Sequence, residues 1–253
     1  MEFSRYLDCL SADFARLRAA VAADPGADVP TCPGWTAADL ARHVGQVYMH
    51  KTLGMRLGHE PEDWPPKSLA DEEPLDLLDR TYAELRVEFA ARNPADPTGT
   101  WYEPDQTVGF WIRRMAQETV VHRIDGELAA GRPLGPIPDD LAIDGVDELL
   151  RCFVAFGVSA WSEYFTEALA GSPGRVYAFH TDAAAWHVHT APGTFEVHDG
   201  APETADVTIS GAPAELLRWV WNRHTPQNPV AVTVQGPQDA LDELHRCIVI
   251  GTQ

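Results

Sequence analysis

The spacing of apolar residues changes once along the chain, at the turn-forming segment GSPGR of residues 171–175. Before this segment, apolar residues recur with the spacing of one helix face. After it, short alternating runs such as RVYAFHT and TFEVHDG are separated by turn residues, which is typical of half-buried strands. The pattern predicts a multidomain protein, with an N-terminal all-α four-helix bundle over residues 1–170 and a small α+β domain over residues 175–253.

Capping residues and prolines mark the ends of the predicted helices. Thr36 is a plausible N-cap, with Asp39 three residues later and the turn-forming Pro33-Gly34 before it. The predicted helices cover Glu2–Ala23, the segment after Thr36, Leu75–Arg92, Val108–Ala130 and a further stretch from Leu141 to Ala168. The second domain is predicted to form a mainly antiparallel sheet from RVYAFHT, AWHVHT, TFEVHDG, ADVTISG and VAVTVQG, with helices in AELLRWVWNR and DALDELHRCI.

The formal net charge of −19 limits the partners that we expect. Nucleic-acid binding needs a basic surface, and none is visible, so we expect no nucleic-acid partner. We expect no membrane partner either, because no apolar run could span a bilayer and MEFSRYLDCL lacks the regions of a signal peptide. The four cysteines are widely spaced without a C-x-x-C pair, which favours reduced thiols and a cytoplasmic location.

Three potential metal ligands fall on two of the predicted helices. Glu118 and His122 are four residues apart and so share a helix face, while His43 lies on the apolar stripe of the second helix. Two imidazoles and one carboxylate form a known zinc ligand set with an open fourth position, and facing helices of a bundle can supply it. We therefore predict a divalent metal site at His43, Glu118 and His122, with Zn²⁺ as the expected ion.

Two simpler interpretations of these residues stay open. A single histidine on a core-facing stripe is more often a hydrogen-bonded core residue than a ligand. A buried carboxylate needs a partner, and Arg114, four residues before Glu118, offers a salt bridge in place of a metal. The E-x-x-x-H spacing is weak evidence alone, and His43 makes the metal interpretation stronger.

Two segments carry a resemblance to a known family. TCPGWTAADLARHVGQV, followed by RRMAQETVVHRIDGELAAG, closely resembles the mycothiol-dependent maleylpyruvate isomerase family. The resemblance implies a DinB-like N-terminal bundle whose metal ligands fall at His43, Glu118 and His122. Further along, DVTISGAPAELLRWVWNR and VTVQGPQDAL resemble the second domain of that family, which implies a sterol carrier protein-like α+β fold.

The resemblance also implies a chemistry. The open metal position would take the sulfur of mycothiol, and a metal-bound thiol is deprotonated and becomes the reactive nucleophile. In a maleylpyruvate isomerase, the thiolate adds to a cis double bond, the new single bond rotates, and elimination gives the trans product. In a mycothiol S-transferase, the same thiolate stays attached to an electrophilic small molecule. A non-catalytic small-molecule-binding protein with a residual metal site is a third reading, and a hydrolase with metal-activated water a fourth.

Five further residues have both a functional and a plain interpretation. The resemblance implies that Arg223 binds substrate, whereas a cation at a helix C-terminus would be stabilised by the helix dipole. Asp125 could orient a metal ligand, or it could be ordinary helix polarity. His187 and His189 share one strand face and could hold a metal, although a solvated polar face is the simpler interpretation. Cys32, beside the PGWT turn, could be a nucleophile, but no nearby histidine motif supports that role and an inert thiol is the preferred interpretation.

Overall fold

The fold is described from a computed structural model that covers residues 1–62 and 64–252. Contacts divide the chain into two compact units, residues 1–136 and 137–253. The boundary predicted at residues 171–175 differs from this division. The helical stretch that follows residue 136 belongs by its contacts to the second unit.

The first unit is helical, as the periodicity predicts. Its helices are α1 (Phe3–Val21), α2 (Ala37–Leu57), a short 3₁₀ turn (Lys67–Leu69), α3 (Pro74–Ala90) and α4 (Val108–Ala129). The bounds of α1, α3 and α4 lie within three residues of the predicted ones, and α2 begins directly after Thr36 as predicted. Over the described part of the chain, none of the helices combines the length and the apolar content that crossing a bilayer requires.

Local contacts fix the start and the packing of α2. The Thr36 hydroxyl accepts a hydrogen bond from the Asp39 backbone, and the Asp39 carboxylate accepts one from the Thr36 backbone, so the predicted capping box is present. Gly45 allows the close approach of α3, because a Cβ there would lie 3.0 Å from Leu77 Cγ and 3.1 Å from the Leu78 nitrogen. These contacts set the position from which His43 projects.

Helix α4 differs from the amphipathic helix that the sequence predicts. From Val108 to Leu128 every residue except Arg113 is buried. The helix therefore carries its polar side chains inside the protein, where each needs a partner. The buried charged residues of α4 are Arg114, Glu118, His122, Arg123, Asp125 and Glu127.

The second unit contains one sheet of five strands with helices. Its strands are β1 (Arg175–His180), β2 (Ala185–Ala191), β3 (Thr194–Asp199), β4 (Val207–Gly211) and β5 (Val232–Gln235). Its helices are α5 (Asp139–Glu148), a π-helix (Leu149–Ala155), α6 (Phe156–Ala160), α7 (Ser162–Leu169), α8 (Pro213–Val220) and α9 (Gln238–Thr252). The strand order is β3-β2-β1-β4-β5, with β1 and β4 parallel and the other pairs antiparallel, so the predicted mainly antiparallel sheet is confirmed.

Side-chain contacts explain why the helical stretch after residue 136 joins the sheet. Arg151 donates hydrogen bonds to the Val197 carbonyl and to Asp199 on β3. The Trp221 indole donates to the Gly145 carbonyl on α5. Apolar periodicity alone cannot reveal these contacts, because it shows that a helix buries a face but does not show against which element.

Candidate metal centre

Helices α2 and α4 bring the three predicted metal ligands together. Among the described residues, His43, Glu118 and His122 form a group whose potential ligand atoms all lie within 4.8 Å of one another. Glu118 Oε1 is 3.4 Å from His43 Nε2 and 3.2 Å from His122 Nε2. Glu118 and His122 are buried, whereas the side chain of His43 is 37 % exposed. The group is thus reachable from solvent on the His43 side.

These distances fit a metal ligand set. Donor atoms bound at about 2.1 Å to a tetrahedral Zn²⁺ lie about 3.4 Å apart, close to the two measured separations. The two imidazole rings meet nearly edge to face, with centroids 5.0 Å apart. Two nitrogens and one oxygen of this kind suit a borderline divalent cation such as Zn²⁺. The residues present therefore fit the ion that the sequence predicts.

The salt bridge weighed as an alternative is also present. Arg114 pairs with Glu118 Oε2, the carboxylate oxygen that does not face the two imidazoles. Glu118 thus uses one oxygen for the guanidinium and directs the other toward the histidines. The salt bridge and a metal site are therefore compatible in this geometry.

The electrostatics of the group favour a cation. Burial raises the pKa of Glu118, but His122 and Arg114 outweigh burial and bring this pKa well below the usual range. Burial lowers the pKa of His122, while Glu118 and Asp125 raise it more strongly, to about 9. The carboxylates around His122 thus stabilise positive charge at its ring. A divalent ion would compete with the proton for the same nitrogen.

Asp125 holds His122 in one orientation. Its Oδ2 lies 2.8 Å from His122 Nδ1, which directs the opposite nitrogen, Nε2, toward Glu118. Asp125 is fully buried and accepts a further hydrogen bond from the Thr31 hydroxyl, and Cys32 Sγ lies 3.7 Å from it. This buried environment favours the interpretation that Asp125 orients His122 over the interpretation that it is a polar residue of the helix surface. Carboxylates that bind the distal nitrogen of a ligand histidine tune its orientation and basicity.

The Asp125→Asn variant is expected to bind Zn²⁺ about 10- to 100-fold more weakly, because the amide holds the His122 ring less strongly. Competition with a chromophoric chelator measures the affinity. Asp79→Asn is the matched control, since Asp79 is 43 % exposed and pairs with Arg18 instead. Equal Zn²⁺ affinities in the Asp125→Asn variant and the parent protein would show that Asp125 does not support the metal site through His122.

Sequence reasoning did not assign two residues beside the group. Trp35 lies against His43, with ring centroids 4.8 Å apart. Lys51, two turns further along α2, has its Nζ 4.6 Å from the ring of Trp111 on α4. Burial lowers the pKa of Lys51, and the Glu60 and Glu118 carboxylates partly oppose this shift. The sequence shows that Lys51 lies on the same helix as His43. Its proximity to the group becomes visible only through its contact with Trp111 in the folded structure.

Other predicted positions lie in the second unit. Arg223 follows the end of α8 and donates from Nη1 to the Trp221 carbonyl at 2.7 Å. Its predicted role in substrate binding stays a prediction. His187 and His189 both lie on β2, with ring centroids 5.2 Å apart.

A helical unit that carries a His–Glu–His group, followed by an α+β unit with a five-stranded sheet, defines a two-domain protein with a candidate metal site. Residues 7–126 match the family model described as the mycothiol maleylpyruvate isomerase N-terminal domain, and residues 140–243 match the MDMPI C-terminal domain. Together these matches cover most of the chain, which belongs to the mycothiol maleylpyruvate isomerase family.

Solved structures agree with this fold. A crystal structure of the mycothiol-dependent maleylpyruvate isomerase aligns with a TM-score of 0.61 and 15% sequence identity, covering 92% of this chain and 93% of that chain. A crystal structure of a histidine-to-alanine mutant of a mycothiol-dependent maleylpyruvate isomerase gives a TM-score of 0.59 at the same identity and coverage. The predicted fold class, a helical bundle followed by an α+β domain, is confirmed. No curated protein matches the chain.

Proposed function

We propose that the protein is a metal-dependent enzyme that uses mycothiol to isomerise maleylpyruvate or a closely related cis-unsaturated diacid. The observation that carries this proposal is the convergence of His43, Glu118 and His122 through Glu118 Oε1, at 3.4 and 3.2 Å. Membership of the mycothiol maleylpyruvate isomerase family supports the choice of thiol and reaction.

The three ligand side chains determine what the centre can do. A divalent cation held there would stabilise a thiolate at neutral pH. Glu118 supplies a single negative charge, and Arg114 offsets that charge through the second carboxylate oxygen. Three protein ligands leave room for an external donor, whereas structural zinc sites usually have four. Asp125 keeps the Nε2 of His122 aimed at Glu118.

Lys51 provides a cation for an anionic substrate in a protein with an acidic composition. It lies at the edge of the group, over the Trp111 ring, and interacts electrostatically with Glu118 and Arg114. A dicarboxylate approaching the first unit would be repelled by the average surface charge of the protein. A partly buried ammonium group beside the metal centre would offset that repulsion.

The Lys51→Met variant is expected to raise KM for maleylpyruvate about 10- to 100-fold with a much smaller change in kcat, because a charged hydrogen bond contributes about 1.5–3 kcal/mol. Steady-state kinetics at saturating mycothiol separate the two constants. Lys67→Met, at the other lysine of the chain, is the control because Lys67 is exposed. An unchanged KM in the Lys51→Met variant would show that Lys51 does not bind the substrate.

One experiment separates the candidate activities. The purified protein is analysed for metal, then incubated with mycothiol and maleylpyruvate, and the products are identified by mass spectrometry and NMR. The trans isomer formed with no loss of mycothiol is the expected result. A stable thioether would indicate an S-transferase. Bound metal with neither product nor thiol binding would overturn the enzymatic proposal and favour a small-molecule-binding protein.

A further inference from the structure

Three histidines lie together on one face of the sheet in the second unit. His187 and His189 alternate along β2 and so point to the same side. Strand pairing places His198 of β3 directly opposite His187. The three ring centroids are 5.2, 5.0 and 5.3 Å apart in pairs. We call this group the histidine triplet.

The triplet lies on the solvent side of the sheet. The alternating residues of β2, Trp186, Val188 and Thr190, are buried on the other face, while His189 and His198 are exposed and His187 is half-buried. Glu196 lies on the same face of β3, opposite His189, with its Oε2 3.8 Å from His198 Nε2. An incoming ion can therefore reach the triplet directly from water, with a carboxylate beside it.

A backbone contact sets the orientation of His187. Its Nδ1 lies 2.9 Å from the Gly200 carbonyl, so Nδ1 donates a hydrogen and Nε2 keeps the lone pair in the neutral ring. Gly200 adopts φ +86°, a conformation that glycine takes without strain, and its N–H donates to the Ala185 carbonyl. A histidine whose distal nitrogen is bound to a backbone carbonyl is prepared as a metal ligand.

We propose that His187, His189 and His198 form a second metal site, which binds a borderline divalent transition-metal ion such as Zn²⁺. Imidazole nitrogen is a preferred donor for this class of ion. Three imidazoles bound to one tetrahedral Zn²⁺ at 2.0–2.1 Å have ring centroids about 5 Å apart, which matches the measured separations. Glu196 stands close enough to serve as a fourth donor or to bind a metal-bound water.

Binding requires a change in the orientation of the imidazole rings. The His187 and His198 planes lie 23° apart, so their nitrogens run side by side rather than toward one point. The exposed rings of His189 and His198 can turn about their side-chain torsions, and such rotamer changes in exposed residues are fast. The half-buried His187 would act as the fixed ligand to which the other two adjust.

The triplet is separate from the metal centre of the first unit. The three ligands of that centre lie on α2 and α4, whereas the triplet uses only strands of the second unit. A protein with a net charge of −19 also attracts cations to its surface. Occupation of the triplet therefore requires neither mycothiol nor an intact centre at His43, Glu118 and His122.

Titration of the metal-stripped, full-length protein with Zn²⁺ tests this proposal, with a chromophoric chelator as competitor. The parent protein is expected to bind two ions per chain. The His189→Ala/His198→Ala double variant is expected to bind one ion, and the His43→Ala variant should keep the ion at the triplet. His198→Ala alone should weaken the second ion by about tenfold or more, since even the loss of a group that supports a ligand costs 10- to 100-fold.

The control is a double variant of two exposed histidines away from the triplet, His59→Ala/His245→Ala, which should still bind two ions. Retention of both ions by the His189→Ala/His198→Ala variant would overturn the proposal. So would a single ion in the parent protein that the His189→Ala/His198→Ala variant retains, or loss of the second ion from the control variant. The latter result would show that scattered surface histidines bind Zn²⁺ without a defined site. Circular dichroism establishes that each variant is folded.

Discussion

The His122→Ala variant is expected to lose the metal of the first unit and to lose at least about 1000-fold in kcat/KM for isomerisation. His122 is buried, lies 3.2 Å from Glu118 Oε1 and is held by Asp125, and alanine removes one of the three candidate ligands from this group. A bound metal supplies several kcal/mol of charge stabilisation, and each 1.36 kcal/mol is worth a factor of ten in rate. Loss of the ion should therefore reduce the rate to background.

Metal analysis after dialysis, together with the isomerisation assay, measures both effects. His43→Ala is a second ligand variant, and it tests the site with less risk to folding because the His43 side chain is 37 % exposed. His59→Ala is the control, since this exposed histidine lies outside the group. If the metal of the first unit stays bound in both ligand variants, the ligand assignment is wrong.

The Arg123→Met variant is expected to lower the free energy of unfolding by about 3–5 kcal/mol, the cost of removing one partner from a buried ion pair. Arg123 is fully buried, with its Nε 2.9 Å from Asp13 Oδ1 and its Nη1 3.0 Å from Glu127 Oε2. Nη1 also donates to the Gly135 carbonyl. Methionine fills similar space but leaves the buried Asp13 carboxylate without its guanidinium partner, and Glu127 keeps only the partly exposed Arg16.

Chemical denaturation, monitored by far-UV circular dichroism, measures this loss through the midpoint of the helical transition. Arg16→Met is the matched control because Arg16 binds the same carboxylate, Glu127, at 2.7 Å while its side chain is 46 % exposed. An exposed ion pair contributes about 0–1 kcal/mol. Similar losses for the two variants would show that burial does not determine the contribution of Arg123.

The effect of Arg123→Met should also depend on pH. Burial raises the pKa of Asp13 to about 6, although Arg123 opposes this shift. A carboxyl whose pKa is higher in the folded state stabilises the protein most at low pH and loses that contribution as pH rises through the folded pKa. Removal of Arg123 raises this pKa further. The stability difference between variant and parent should therefore grow from pH 5 to pH 7.5.

The sequence predicted the helices and strands well because their signals are local. The Thr36 cap, the prolines beside α3 and the alternation in β2 depend on neighbouring residues only. The extent of the first unit was less predictable, since a helix that packs against a sheet and one that packs in a bundle have the same apolar spacing. The contact of Arg151 with β3, which holds the helical stretch against the sheet, joins positions 46 residues apart.

The sequence predicts the three residues that lie together in the candidate metal site, but it does not predict their surroundings. Glu118 and His122 share a helix, so their spacing predicts a common face, and the apolar stripe of the second helix adds His43. The bond between Asp125 and Thr31 and the contact of Lys51 with Trp111 join separate elements, so neither has a sequence signal. The histidine triplet likewise has no sequence signal, because His198 lies opposite His187 only through the register of β2 and β3.

Two consecutive residues of α4 face different sides of the helix, because successive side chains are about 100° apart around the axis. His122 points toward Glu118 and His43, while Arg123 is held by Asp13 of α1 and by Glu127. A rotation of α4 about its own axis would pull the guanidinium away from Asp13. The contact between Arg123 and Asp13 thus anchors α4 to α1 in one angular position, and this position sets the side of the helix from which His122 projects.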